Sequence, residues 1–202
     1  MGELRLERRQ VLVRGEVTLA VGPRRELGQR TIFNLLGPLT NPAGATHQLI
    51  GVYDASLTIV LAEVLCELGG QAAYVVHGSG GVDELTTTGL NRVSSLRHGR
   101  VATFSLDASD LGLRKATPDQ LTGGEPAENA YLLQQLLAGK DDSPRRDVVL
   151  LNAAAGLATE DGDFVAALHR AERSLESGAA QRKLDELVAL SQTLAVEGAY
   201  VQ

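Results

Sequence analysis

A chain of 202 residues, 44% apolar and 22% charged, can bury one substantial globular core. Its net charge of −6 argues against a nucleic-acid-binding surface, and no apolar run reaches the ~18 residues that span a bilayer. The single cysteine, Cys66, excludes a disulfide framework and thiolate metal clusters, and the N-terminus shows no apolar stretch with a cleavage site, so the expected compartment is the cytoplasm.

Residues 1–21 are the least legible. Arg5, Glu7, Arg8 and Arg9 precede Val11, Val13, Val17 and Leu19, which partly alternate as in a strand. Next comes RRELGQRTIFNLLGPLTNP, residues 24–42, with Ile32, Phe33, Leu35, Leu36 and Leu39 at helical intervals. Gly37-Pro38 and Asn41-Pro42 close that apolar turn, because proline donates no backbone bond and biases the residue before it away from the helix. Two such stops predict a positioned loop.

From His47 the pattern is α/β. QLIGVY, residues 48–53, predicts a buried strand. Asp54 or Ser56 can cap a helix in which Leu57, Val60, Leu61, Val64, Leu65 and Leu68 recur at helical spacing, with Gly69-Gly70 as its stop. Cys66 within it is expected to be a buried structural thiol. AAYVVHG, residues 72–78, is the next strand, and strand–helix–strand of this length predicts a parallel, right-handed unit. Residues 92–96 and 101–105 read as an antiparallel pair turning at His98-Gly99, with His98 solvated. A loop with Pro118 leads to Gly123-Gly124 and a helix through Asn129, Leu132, Leu133, Leu136 and Leu137. Helices are predicted over residues 147–158, 164–175 and 181–194, the first rich in alanine, which lets helices approach closely. Aromatic residues are 3% of the chain, so the core should be aliphatic.

Chemistry concentrates in HGSGGVDE, residues 77–84, which follows the second strand. Three glycines allow positive φ or close approach to a ligand, and the carboxyl end of a parallel strand is where α/β sheets bind ligands. Asp83 and Glu84 end the loop side by side. The residues alone leave two readings open, a solvated acidic pair on a turn and a hard-oxygen site for a cation. His47, His77 and His169 read as structural or solvated, and no two histidines have metal-ligand spacing.

RTIFNLLGPLTNP, residues 30–42, closely resembles the signature of the anthranilate phosphoribosyltransferase family. Those enzymes of tryptophan biosynthesis join anthranilate to phosphoribosyl pyrophosphate and release pyrophosphate. The resemblance starts near Gly22 and runs almost to the C-terminus, so residues 1–21 are expected to be an atypical segment. Residues 22–202 would be the C-terminal part of the α/β glycosyltransferase domain. The fold that this implies is a mainly parallel sheet flanked by helices, of nucleoside phosphorylase/phosphoribosyltransferase type, incomplete at its N-terminus, with an antiparallel excursion near 92–105.

The loop matches the family's H-G-x-x-G-x-D-E element residue by residue, which implies that Asp83 and Glu84 hold Mg2+. The resemblance places Arg24 against the carboxylate of anthranilate, which a planar guanidinium can grip through two parallel bonds; a surface arginine is the other reading. Gly37 and Pro38 would line the substrate channel, Arg30 would brace the structure, and His77 takes no proton-transfer role. The implied partners are anthranilate and phosphoribosyl pyrophosphate, and the family forms homodimers. Other features depart from the family. A G-T-G-G-D-like phosphate loop and a K-H-G-N-like segment are missing, Arg14 and its neighbours stand where an H-P-A-M-like stretch is usual, and GPRR replaces G-P-V-R-R. A truncation before Gly22 is therefore expected, with two alternatives: an inactive structural or binding remnant, and a nucleoside phosphorylase-like enzyme.

Overall fold

The structure, a computed structural model, describes residues 37–39 and 44–198, with side chains through Leu194. The chain divides into two compact units, Met1–Thr46 and His47–Gln202. In the first, residues 37–39 are helical. The strand-like run at 11–19, Arg24, Arg30 and the Asn41-Pro42 stop lie outside the described residues.

The second unit opens with strand β1 (His47–Gly51), helix α1 (Leu57–Glu67) and strand β2 (Ala72–His77). Neither expected side chain caps α1: Asp54 instead accepts from the amide and hydroxyl of Ser56, at 2.9 and 2.8 Å. The stop is the expected glycine pair. Gly69 takes φ +82°, its amide reaches Cys66 O at 3.1 Å, and the amide of Gly70 reaches Leu65 O at 2.8 Å. These are the two bonds that close a helix on a left-handed residue. Cys66 is half-buried rather than buried.

β1 and β2 pair in parallel, with Gly51 opposite Val76. Strands β3 (Asn91–Arg97) and β4 (Arg100–Leu106) follow. Their turn is His98-Gly99, both at positive φ, 50° and 69°, which matches the twist of a two-residue hairpin. His98 is exposed, as expected. The sheet order is β1-β2-β3-β4. Among the described residues the α/β sheet is mixed rather than mainly parallel, since β2–β3 and β3–β4 are antiparallel, and only the β1–β2 connection carries a crossover helix. The chain after β2 turns straight back along it.

Both faces of the sheet are covered, which is why β2 is buried along nearly its whole length. α1 packs on one face, where Ser94 donates to Thr58 Oγ1 at 2.9 Å. Tyr74, Val76 and Val93 join the other core, with helices α4 (Pro144–Ala158) and α5 (Phe164–Glu176). α4 begins three residues before the expected start, with Pro144 at its first position and Ser143 Oγ accepting from the Arg145 amide at 3.3 Å. Its Ala154, Ala155 and Ala158 are buried with Ala167 and Ala171 of α5. Leu150 and Leu151 are also buried, each contributing roughly 1.5–3 kcal/mol. The core is aliphatic apart from one cluster, in which the Tyr74 ring lies 5.2 Å from Phe164 and 6.3 Å from Phe104.

Short helix α2 (Pro118–Leu121), which the sequence did not predict, precedes α3 (Pro126–Leu137). Gln120 Oε1 accepts from the Thr117 amide at 2.9 Å to start it. α6 (Ala179–Gly198) ends the described chain and exposes Leu187, Val188, Leu190 and Leu194. No helix of the described residues is long and apolar enough to cross a membrane.

Candidate functional site

The acidic pair sits beyond the carboxyl ends of the two parallel strands. β2 ends at His77, whose Nδ1 lies 2.8 Å from Val52 O; this histidine packs and bonds locally, as expected. The chain then folds on itself. The Gly78 amide donates to Val82 O at 2.9 Å and the Gly81 amide to Gly78 O at 3.1 Å. Gly80 and Gly81 take φ +82° and +86°, which other residues adopt at a cost.

Glycines also let the backbone of the pair lie against both strand ends. A Cβ on Gly51 would fall 1.5 Å from Asp83 O, and one on Gly78 would fall 2.2 Å from Glu84 O. Neither position tolerates a side chain while the loop stays where it is. Gly51 therefore belongs to the site, although the sequence did not mark it. A glycine inside a strand pattern is the signal that could have done so.

Downstream, Leu85, Thr86 and Thr87 are buried. Asn91, at the start of β3, is buried as well and turns its amide on that segment. Its Oδ1 accepts from the Thr86 amide at 2.8 Å, and its Nδ2 donates to Thr86 O at 2.9 Å and Leu106 O at 3.1 Å. From α4, Asn152 meets the backbone of Leu85. No local pattern announces either asparagine.

Asp83 and Glu84 are both exposed. Glu84 nevertheless borders a cavity of about 260 Å3 whose walls include Leu121, Leu133, Leu136 and Arg145. Partial burial, and secondly the Asp83 charge, push its carboxyl above the ordinary glutamate range. A divalent cation would relieve both effects. Mg2+ is commonly bound by one or two carboxylates, completed by waters and substrate phosphates, and these two carboxylates fit that demand. Among the described residues no group of three or more His, Cys, Asp or Glu could hold a metal, so any site here is of that open kind.

The family described as glycosyl transferase family, a/b domain, matches residues 14–181. The chain belongs to that family. The match enters the segment 1–21 that the sequence reading set apart. Anthranilate phosphoribosyltransferase of Methanocorpusculum labreanum is 49% identical over 170 residues, which are 83% of this chain and 49% of that protein. The crystal structure of anthranilate phosphoribosyltransferase from Thermus thermophilus superposes with a TM-score of 0.76 at 41% identity, covering 84% of this chain and 50% of that one. The Saccharomyces cerevisiae enzyme in complex with PRPP and Mg has a TM-score of 0.71 at 30% identity, covering 80% and 47%. The chain thus spans about half the length of the relatives it matches.

Within this glycosyl transferase chain the predicted site residues fall into two groups. Asp83 and Glu84 are adjacent in the His47–Gln202 unit. Gly37 and Pro38 belong to the Met1–Thr46 unit, where Gly37 is exposed and Pro38 half-buried. Arg24 lies outside the described residues.

Proposed function

We propose that this chain carries the metal-binding part of an anthranilate phosphoribosyltransferase, which transfers phosphoribosyl from phosphoribosyl pyrophosphate to anthranilate and releases pyrophosphate. The observation that supports this best is the Asp83-Glu84 pair, set beyond the parallel strand ends on a backbone that Gly51 and Gly78 admit. The substrate is highly anionic and reacts as its Mg2+ complex. Asp83 and Glu84 would hold that ion, which when bound neutralises charge on the departing pyrophosphate.

The chain's own residues do the positioning. Gly51 and Gly78 fix how far the acidic pair stands from the sheet, and Asn91 fixes the segment that follows it. Arg24 orients anthranilate by gripping its carboxylate, and Gly37-Pro38 line the approach. No covalent intermediate on the protein is needed. The contribution is orientation and electrostatic stabilisation.

The test follows anthranilate fluorescence with the 202-residue chain, phosphoribosyl pyrophosphate and Mg2+, beside an Asp83→Asn/Glu84→Gln variant. Fluorescence loss that disappears in the variant is the expected result. Loss that persists in the variant refutes the metal assignment. A folded chain that binds Mg2+ but turns nothing over favours the second reading, a binding remnant.

A further inference from the structure

We propose that Asn152 is the positioning residue that sets the cation affinity of the acidic pair; this rests on the reading of Asp83 and Glu84 as a metal site. Asn152 projects from the middle of α4. Its Oδ1 accepts from the Leu85 amide at 3.0 Å, while its Nδ2 donates to Leu85 O at 2.8 Å and to Val148 O at 3.0 Å. The side-chain amide thus meets both backbone groups of one residue, as a neighbouring strand would.

The consequence for Glu84 is direct. The Leu85 amide belongs to the same rigid peptide plane as the Glu84 carbonyl, so a bond to one orients the other. On the far side of that plane, Gly78 leaves room for Glu84 O and nothing more: a Cβ there would come within 2.2 Å. The peptide that joins Glu84 to Leu85 is therefore pinned by a hydrogen bond on one edge and by contact on the other.

Only a carboxamide of this length supplies the acceptor and the donors together. Aspartate has no donor, and leucine has neither. The bond to Val148 O in the preceding turn holds the amide in this orientation and leaves Oδ1 for the Leu85 amide. The support beneath is rigid, since Leu150, Leu151, Ala154 and Ala155 of the same helix are core residues. Leu85 is itself fully buried, and Asn91 already anchors Thr86. The segment therefore has other anchors, and what Asn152 adds is the orientation of the residue that carries the second carboxylate.

Partners that orient metal ligands typically change metal affinity about 10–100-fold when removed. The experiment measures Mg2+ affinity by calorimetry on the 202-residue chain, well below its thermal transition, for wild type, Asn152→Leu and Asn152→Asp. Melting temperatures are taken without metal. The expected result is roughly tenfold or weaker Mg2+ binding in both variants while circular dichroism shows them folded. The added charge of the aspartate would by itself strengthen binding, so weakening there is the sharper result. The aspartate is nearly isosteric and serves if the leucine variant does not fold. Unchanged Mg2+ affinity with a lowered melting temperature would make Asn152 merely structural and overturn the proposal. A wild-type chain without Mg2+ affinity overturns the reading of the pair itself, a failure seen before any variant is made.

Discussion

Replacing Gly51 with alanine tests how the site is built. The new Cβ would lie 1.5 Å from the carbonyl oxygen of Asp83 and 2.5 Å from its carbon. Side-chain carbons do not approach backbone oxygens closer than 3.0 Å, so strand and loop must part by about 1.5 Å. β1 is held by its parallel ladder to β2 and by the Val52 amide on Val76 O at 2.9 Å; the exposed loop is the softer partner and moves. Overpacking of this kind costs about 1–3 kcal/mol. For a chain of this size each kcal/mol lowers the melting temperature by about 2–4 °C. Misplacement of a reacting group by ~1 Å costs about 100-fold in rate, and Mg2+ affinity should fall roughly tenfold, as for a disturbed ligand shell. Calorimetric Mg2+ titration and thermal melting provide the assay. Gly156→Ala is the control: Gly156 lies in α4 with nothing within 4 Å of the added carbon, and it should be neutral or stabilise by ~0.5–1 kcal/mol. A Gly51→Ala chain that melts and binds Mg2+ like the wild type would refute the close approach of Asp83.

Asn91→Leu strands the buried amide and carbonyl of Thr86; at ~1–3 kcal/mol for each unsatisfied buried group, urea denaturation should show a loss of at least about 2 kcal/mol. Asp147→Asn weakens the fork in which buried Asp147 accepts from Arg114 Nε at 2.7 Å and Nη2 at 3.2 Å. That bond holds the Arg114 guanidinium above its ordinary range, and the variant should unfold at lower urea with an unchanged slope. Glu84, its carboxyl raised by partial burial and then by Asp83, should give Mg2+ binding that strengthens with pH through a midpoint above the ordinary ~4.3. Between that ordinary value and the raised one the folded chain holds more protons than the unfolded chain, so the stability of the metal-free protein falls as pH rises across the window. Glu84→Gln should remove the stability dependence and the part of the Mg2+ dependence that Glu84 carries.

What was legible in the sequence was local. The β1–α1–β2 unit, its glycine stop and the His98-Gly99 hairpin each depend on neighbouring residues whose backbone preferences agree. The acidic pair stood out because its glycines and carboxylates are contiguous, but the residues alone left a solvated pair and a cation site both open, and it was the family resemblance that chose between them. The balance of the sheet was not, because the loop from Gly78 to Leu90 could lead to another crossover or turn back, and its composition does not choose. The supports of the pair were hidden by distance. Asn152 bonds a residue 67 positions away, and Gly51 is identified by a contact with Asp83 that no spacing encodes. α2 was missed because a four-residue helix is too short to show periodicity.

The same geometry separates two properties of this chain. Among the described residues, those that support the acidic pair, Gly51 and Gly78 at the strand ends and Asn91 and Asn152 beside the loop, belong to the His47–Gln202 unit. Arg24, Gly37 and Pro38, which the proposed function sets against anthranilate, belong to the other. Mg2+ affinity should therefore track the folding of the second unit, while turnover, on the proposed function, should also require Arg24. A variant at Arg24 should leave the Mg2+ titration unchanged, whereas Gly51→Ala should weaken it. The opposite pattern would mean that the pair is organised from outside the sheet that carries it.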